Sequence, residues 1–314
     1  MAFQLSPGVQ VTERDLTSVV PAVGTSIGGT AGDFLWGPAN EVVTISSENE
    51  LVSRFGLPPI TGTTYREWFA AASFLAYTSA LKIVRAIDKS AALNAGSTAG
   101  VLIENEDKYN STASFANGMW AAKYPGSIGN SLLVSFADSA SYATWAYKDQ
   151  FDYAPSTSTY VSAASGSNDE MHIIVIDAGG YFTGTAGTVL EKFAGVSKAS
   201  DATDSVGRSN YYKTVMNQRS QYVWWTGHPA AVGNNWGTLS NSVTYTTDAS
   251  AGESSVTLTL GANGTTDDAD LQTAFALFAN DELVDVNLIF VGAASATVGD
   301  YVIDNVAETR KDCM

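Results

Sequence analysis

Two hydrophobic periodicities share the chain. Val42, Val43 and Ile45 form a β-branched run that predicts a short strand. Ser47 with Glu50 three residues on has the spacing of a capping box, Leu51, Val52 and Phe55 supply one apolar stripe, and Gly56 followed by Pro58 supplies a stop. Thr64 and Glu67 repeat that spacing ahead of Trp68, Phe69, Ala72, Leu75 and Ala76, whose intervals predict a longer amphipathic helix. Leu81 to Ile87 then predicts a second strand.

From about Ser90 the pattern changes. The chain becomes rich in Ser, Thr, Tyr and Gly, with short alternating runs such as Leu132, Val134 and Phe136 and a continuous apolar strand from Ile173 to Ile176. Thr188 to Val196 and Asn210 to Met216 predict helices, and Tyr222 to Trp225 a strand. Val243 and Tyr245 with Val256, Leu258 and Leu260 flank a Gly/Ser/Asp region, so a β-hairpin is expected. Near the end, Asp268 caps a helix carrying Leu271, Ala274, Phe275 and Phe278, Val284 to Val291 reads as a buried strand, and Thr297 with Asp300 opens a helix running to Arg310. The expected fold class is α+β and multidomain: mixed α/β core segments with an inserted β-rich domain, barrel or sandwich-like. The expected division is an extended N-terminal arm at 1–23, an α/β core segment at 24–96, the insertion at 97–185 and a second α/β domain with the hairpin at 186–314.

Residues 1–23 carry no stripe of their own. Pro7 and Gly8 stop any helix, and Val9 and Val11 alternate with Gln10 and Thr12, so the arm must pair with its own domain or with another chain.

Composition narrows the function. Of 314 residues, 45% are hydrophobic and 15% charged, which excludes a disordered chain. A net charge of -16 leaves no basic face for phosphates, so a direct nucleic-acid partner is not expected. No window of about 18 apolar residues occurs, so membrane insertion is not expected either. One cysteine, Cys313, permits no internal disulfide and fits a reducing compartment.

The chemistry-bearing residues all have structural explanations. His172 opens an apolar strand and His228 precedes Pro229, neither with a second ligand at helical spacing. The Gly24 to Gly32 stretch lacks the ending of a phosphate loop, which leaves close backbone packing or a turn. Asp267, Asp268 and Asp270 crowd a helix start, where the macrodipole favours them, and Glu104, Glu106 and Asp107 read as a solvated loop. Trp120, Trp145, Tyr147 and Tyr153 raise a carbohydrate-binding or hydrolytic alternative, against which stands a barrel-core role. No catalytic, cofactor-binding or metal-binding residue is expected.

Several stretches resemble the contractile tail sheath proteins of myovirus-type, T4-like bacteriophages. They are Leu5-Ser6-Pro7-Gly8-Val9 with Val11-Thr12-Glu13, Phe34-Leu35-Trp36-Gly37-Pro38, Glu50 to Gly56, and Phe74 to Tyr77 leading to Ile83-Val84-Arg85-Ala86. Later come Ala122 to Asn130, Phe182-Thr183-Gly184-Thr185, Val196-Ser197-Lys198-Ala199, and Ile303-Asp304 with Glu308 to Cys313. The resemblance implies a structural subunit of the virion, not an enzyme, assembled in the host bacterial cytoplasm. It implies a homo-oligomer of six-fold rings in a helical sheath around a tail tube protein, with baseplate and terminator partners, contracting to drive the tube through the host envelope. Sheaths of phage-like injection or secretion devices share the pattern. It also implies an arm interface at Ser6, Pro7, Gly8, Val9, Val11 and Glu13, and that the C-terminal part of the family pattern is missing.

Overall fold

The structure is a computed structural model that describes residues 27–58, 65–230, 234–248, 255–310 and 312–314. The described residues form a mixed α/β protein with two four-stranded sheets and a two-stranded pair. The arm at 1–23 lies outside the described residues.

The first sheet runs β10 (Leu288–Ile289), β1 (Gly28–Gly32), β3 (Leu81–Arg85), β2 (Val42–Ile45). β10, β1 and β3 are mutually parallel and β2 is antiparallel to β3. Between β2 and β3 lie α1 (Glu48–Phe55) and α2 (Tyr65–Leu75). Strand alternation sends Leu81 and Ile83 into a core with Ile45, Leu51, Phe55, Trp68 and Ala71. Ala31 and Val84 go to the opposite core, with Phe278, Val286 and Phe275 of α6 (Asp268–Ala276), and with Val298 and Val302 of α7 (Ala296–Val302). Each face therefore carries a helical layer.

Of the two readings of Gly24 to Gly32, close backbone packing holds for residues 28–32 and a turn does not: they are a fully buried central strand. Glycine has low strand propensity, but here it is required by approach. A Cβ at Gly28 would lie 2.4 Å from the Phe74 ring, and one at Gly32 would lie 2.8 Å from the Glu67 Cβ.

The second sheet is antiparallel, in the order β7 (Thr188–Ser197), β6 (Glu170–Asp177), β5 (Leu132–Asp138), β9 (Ser255–Thr257). Val134, Phe136, Ile173, Val175, Phe193 and Val196 face a core completed by α5 (Tyr212–Arg219) and by the pair β4 (Trp120–Ala122) and β8 (Val223–Trp225). Ala137, Ile174 and Ile176 face the other way, against Trp145.

Further expectations change. Thr188 to Val196 is a strand, not a helix, because register shifts opposite Met171/Ile173 and Val175/Ile176 break the two-residue period. Leu190, Phe193 and Val196 then share one face at intervals of three, which imitates a helix. The expected boundary at 185 falls in the turn before β7, which joins β6 in this sheet, and β9 adds a strand from later still. Among the described residues the hairpin expected at 243–260 is not seen: β9 pairs with β5, and Thr244 bridges Ser167. Glu106 and Asp107 are not in a loop but open α3 (Glu106–Ser111), which Asn105 caps.

At the chain's end, Ser295 caps α7 two residues before the expected Thr297, and a π-helical turn, Ile303–Ala307, replaces regular helix. Likewise Asp267, not Asp268, caps α6, in a reciprocal box with Asp270. On α2, Trp68 faces the core as expected, together with Ala71, whereas Phe69 is 52% exposed.

Candidate functional site

Four of the stretches that carry the sheath resemblance, Phe34 to Pro38, Ile83 to Ala86, Ala122 to Asn130 and Phe182 to Thr185, meet where the two sheets join. Arg85, the last residue of β3, is fully buried and donates Nε to the Phe34 carbonyl (2.6 Å), Nη1 to Gly37 (2.8 Å) and Nη2 to Pro125 (2.8 Å). One guanidinium thus ties the Phe34–Pro38 stretch of the first sheet to the Tyr124-Pro125-Gly126 stretch that leads into β5. Burial lowers its pKa to about 10, with Asp33 acting in the opposite direction, so the charge persists at neutral pH. Gly126 has φ +141, and a Cβ there would lie 2.9 Å from the Leu35 carbonyl, so glycine is needed for this approach.

Aromatic rings continue the joint. Trp36 meets Tyr124 edge-on at 5.3 Å and Phe182 at 4.9 Å, and Phe182 meets Tyr222 at 5.2 Å. Phe182 is positioned by Asp177 at the end of β6. That carboxylate accepts the Ser131 hydroxyl, the backbone N–H groups of Tyr181, Phe182 and Thr183, and the Thr183 hydroxyl. Burial pushes the Asp177 carboxyl up, but these hydrogen bonds outweigh it and hold the group below the ordinary aspartate value. Asn130 closes the joint from the β9 side, exchanging two hydrogen bonds with the Gly261 backbone, while the Asn263 side chain accepts the Ser127 N–H.

Beside this joint lies a cavity of about 360 Å³ lined in part by Trp36, Arg54, Lys123, Tyr124 and Arg219. Lys123 sits 3.2 Å over the Trp224 ring and donates to the Asn217 carbonyl, and burial lowers its pKa to about 8. The arrangement is suited to holding two sheets in fixed relation: cation, carbonyls and rings are matched.

The remaining candidates are structural in their surroundings. His172 is buried, its Nε2 at 2.8 Å from the Tyr153 carbonyl and its Nδ1 accepting the Gly195 N–H, and burial lowers its pKa. That pattern holds a neutral ring. His228 lies against the Tyr212 hydroxyl at 2.6 Å, its pKa lowered by burial and by Lys213. Trp120 and Trp145 are buried, whereas Tyr153 is half exposed, so the four aromatics raised for carbohydrate binding form no shared open platform. Glu104 pairs with Lys89 at 3.0 Å. Among the described residues no cluster of three or more His, Cys, Asp or Glu is placed to hold a metal ion, and no helix is long and apolar enough to cross a membrane. Ser6, Pro7, Gly8, Val9, Val11 and Glu13, expected at a subunit interface, lie outside the described residues.

Sequence reasoning did not single out Arg85 or Asp177 for these roles. For Arg85 a signal was present, a cation between Val84 and Ala86 within the apolar run Leu81 to Ile87. For Asp177 none was, since its partners come from its own turn and from Ser131.

No family model matches the chain. It is 32% identical over 191 residues to the tail sheath protein of Salmonella phage ViI, covering 60% of this chain and 28% of that protein. It is 38% identical over 96 residues to the tail sheath protein of Enterobacteria phage T4, covering 31% and 14%, respectively. Among solved structures, the sheath tail protein Lin1278 from Listeria innocua is 16% identical with a TM-score of 0.46, covering 93% of this chain and 46% of that one. The chain spans less than a third of the length of the curated relatives it matches. Its resemblance to the tail sheath proteins of myovirus-type bacteriophages is thus shown, over as much as 60% of its own length.

Proposed function

We propose that the chain is a structural subunit, not an enzyme, of a contractile phage tail sheath. The observation that carries this reading is the similarity to tail sheath proteins of three different phages. In the proposed assembly, copies form six-fold rings stacked helically around a tail tube, joined to baseplate and terminator proteins, built in the host cytoplasm and retained in the virion. The joint at Arg85 and Phe182 supports a role as a rigid body: contraction of such an assembly requires subunits that rotate and slide without deforming.

The same reading assigns residues of the second sheet to an inserted domain. The chain leaves the first sheet after β3 and returns to it at β10, next to β1, which supports an insertion with neighbouring ends. It also assigns Ser6, Pro7, Gly8, Val9, Val11 and Glu13 to a strand that pairs with a neighbouring subunit through backbone hydrogen bonds. A head-to-tail link of this kind generates rings or helical tubes, according to whether its rotation closes.

The test is immunogold labelling of virions of the encoding phage with antibodies against this chain. Gold along the length of the tail, shortening with the tail on contraction, is expected. Labelling confined to heads or fibres, or its absence from intact virions, would overturn the reading.

A further inference from the structure

Where β5 ends, a lysine and two aspartates meet out of reach of solvent. Lys198, one residue past β7, and Asp138, the last residue of β5, are 0% and 1% exposed at their side chains, with Nζ 2.5 Å from Asp138 Oδ2. β5 and β7 are not neighbours, since β6 runs between them. The contact therefore spans a strand and joins residues 60 apart in the chain.

Asp248 completes the group. It is 1% exposed, its backbone N–H donates to Asp138 Oδ2 at 2.7 Å, and its own Oδ2 accepts the Asp138 N–H at 3.2 Å and the Ser141 hydroxyl. Its second oxygen, Oδ1, is buried without a hydrogen-bond partner. Around Nζ stand the carbonyls of Asn168 at 3.3 Å and Thr246 at 3.1 Å, and the Trp236 ring at 4.7 Å. Asp169 also faces Lys198, but its oxygens already accept from Ser197 and Ser158.

An ion pair at this depth is held against a large desolvation cost, and here a second carboxyl adds to it. Turning amine and carboxylate into an amide removes both charges from the interior. The elements for that conversion are in contact: an amine and a carboxyl held together, water excluded, and a second carboxyl alongside. We propose that Lys198 and Asp138 become joined after folding by an intramolecular isopeptide bond, with Asp248 as the proton-transfer group.

The step balances without any co-reactant. The ammonium gives one proton to the Asp138 carboxylate, leaving a neutral amine and a neutral acid. The Nζ lone pair attacks Asp138 Cγ. Asp248 takes a proton from the attacking nitrogen and returns one to the departing hydroxyl; a C–N bond forms, a C–O bond breaks, one water leaves, and Asp248 is regenerated. Burial and the neighbouring Asp138 raise the Asp248 carboxyl to about 6, a value at which it can both give and accept a proton near neutrality. Burial also lowers the Lys198 ammonium, easing its conversion to the nucleophilic amine despite the opposing pull of Asp138.

Intact mass of the folded wild-type chain, measured after denaturation, tests this directly. The expected mass is that of the sequence less one water, with fragment spectra showing a branched peptide that joins Lys198 to Asp138 and no tryptic cleavage after Lys198. Lys198→Arg is expected at full mass, and Asp248→Ala at full mass or slow to lose water. The wild-type result decides the matter whether or not the variants fold. Full sequence mass after prolonged incubation at neutral pH, or a water loss located elsewhere in the chain, would overturn the proposal.

Discussion

The two four-stranded sheets are each covered on both faces, but by different means. In the first, three of the five residues of β1 are glycine, and helices approach the backbone itself; Phe74 lies over Gly28 and Val286 over Gly29. In the second, the strands carry bulky apolar side chains, and the loops between them are held by buried polar groups, with Asp177 organising the turn after β6. One sheet is stabilised by the closeness of what packs on it, the other by hydrogen bonds that fix its connections. The first should therefore be sensitive to added atoms and the second to removed charge.

Arg85 belongs to both, so its removal should have the largest effect. Arg85→Ala strips hydrogen bonds from the buried carbonyls of Phe34, Gly37 and Pro125 and leaves a cavity at the joint. We expect a loss of about 3–5 kcal/mol in urea unfolding, the range for breaking a buried charged network. A loss under about 1 kcal/mol would show that the sheets do not depend on this joint.

Asp177→Asn comes next, at about 2–3 kcal/mol, because charge-assisted bonds are exchanged for neutral ones and one acceptor oxygen becomes a donor. Its pH signature has a definite sign. A carboxylate held below its ordinary value stabilises the fold above that value and ceases to do so as pH falls through its folded pKa. Wild type should therefore lose stability on acidification below about pH 4, and the variant should show a shallower acid limb. Parallel acid limbs would remove Asp177 from this account.

Gly28→Ala tests the first sheet. The new methyl would lie 2.4 Å from the Phe74 ring, which itself packs on Phe290 at 5.3 Å. Overpacking of this kind costs about 1–3 kcal/mol. Shortening the ring in a Gly28→Ala/Phe74→Leu double variant should restore part of that loss, and strictly additive effects would show that the contact is not the cause.

The same contrast explains how much of the molecule was legible in its sequence. α1 follows from Ser47, Leu51, Phe55 and Gly56, and β2 and β3 from their β-branched runs, since these signals are local. β1 was illegible as a strand: its glycines are dictated by Phe74 and Val286, which lie far along the chain. β7 was misread because its register shifts are set by β6. At the joint, the motif residues were visible as a resemblance, but their convergence on Arg85 requires the fold. Lys198, Asp138 and Asp248 come from three separate segments, and no periodicity connects them.

The smallest effect is expected at a helix end, and it separates local from tertiary control. Ser47 has extended backbone geometry and its hydroxyl accepts the Glu50 N–H at 3.3 Å, while the Glu50 carboxylate accepts the Ser46 N–H at 2.9 Å. α5, against the second sheet, starts at Tyr211 with no side-chain cap and is held by the burial of Tyr212, Val215 and Met216. Removing a cap costs about 1 kcal/mol where the helix relies on it. Ser47→Ala should thus lower stability by about that amount, and Ser47→Asp should restore it, since aspartate caps as well and complements the helix dipole. Amide exchange at Glu50 and Leu51 should quicken in the alanine variant while exchange in α5 is unchanged. If Ser47→Ala leaves both stability and exchange untouched, α1 is held as α5 is, by its buried Leu51 and Phe55, and the local signal that made it legible is a marker of the helix rather than a cause of it.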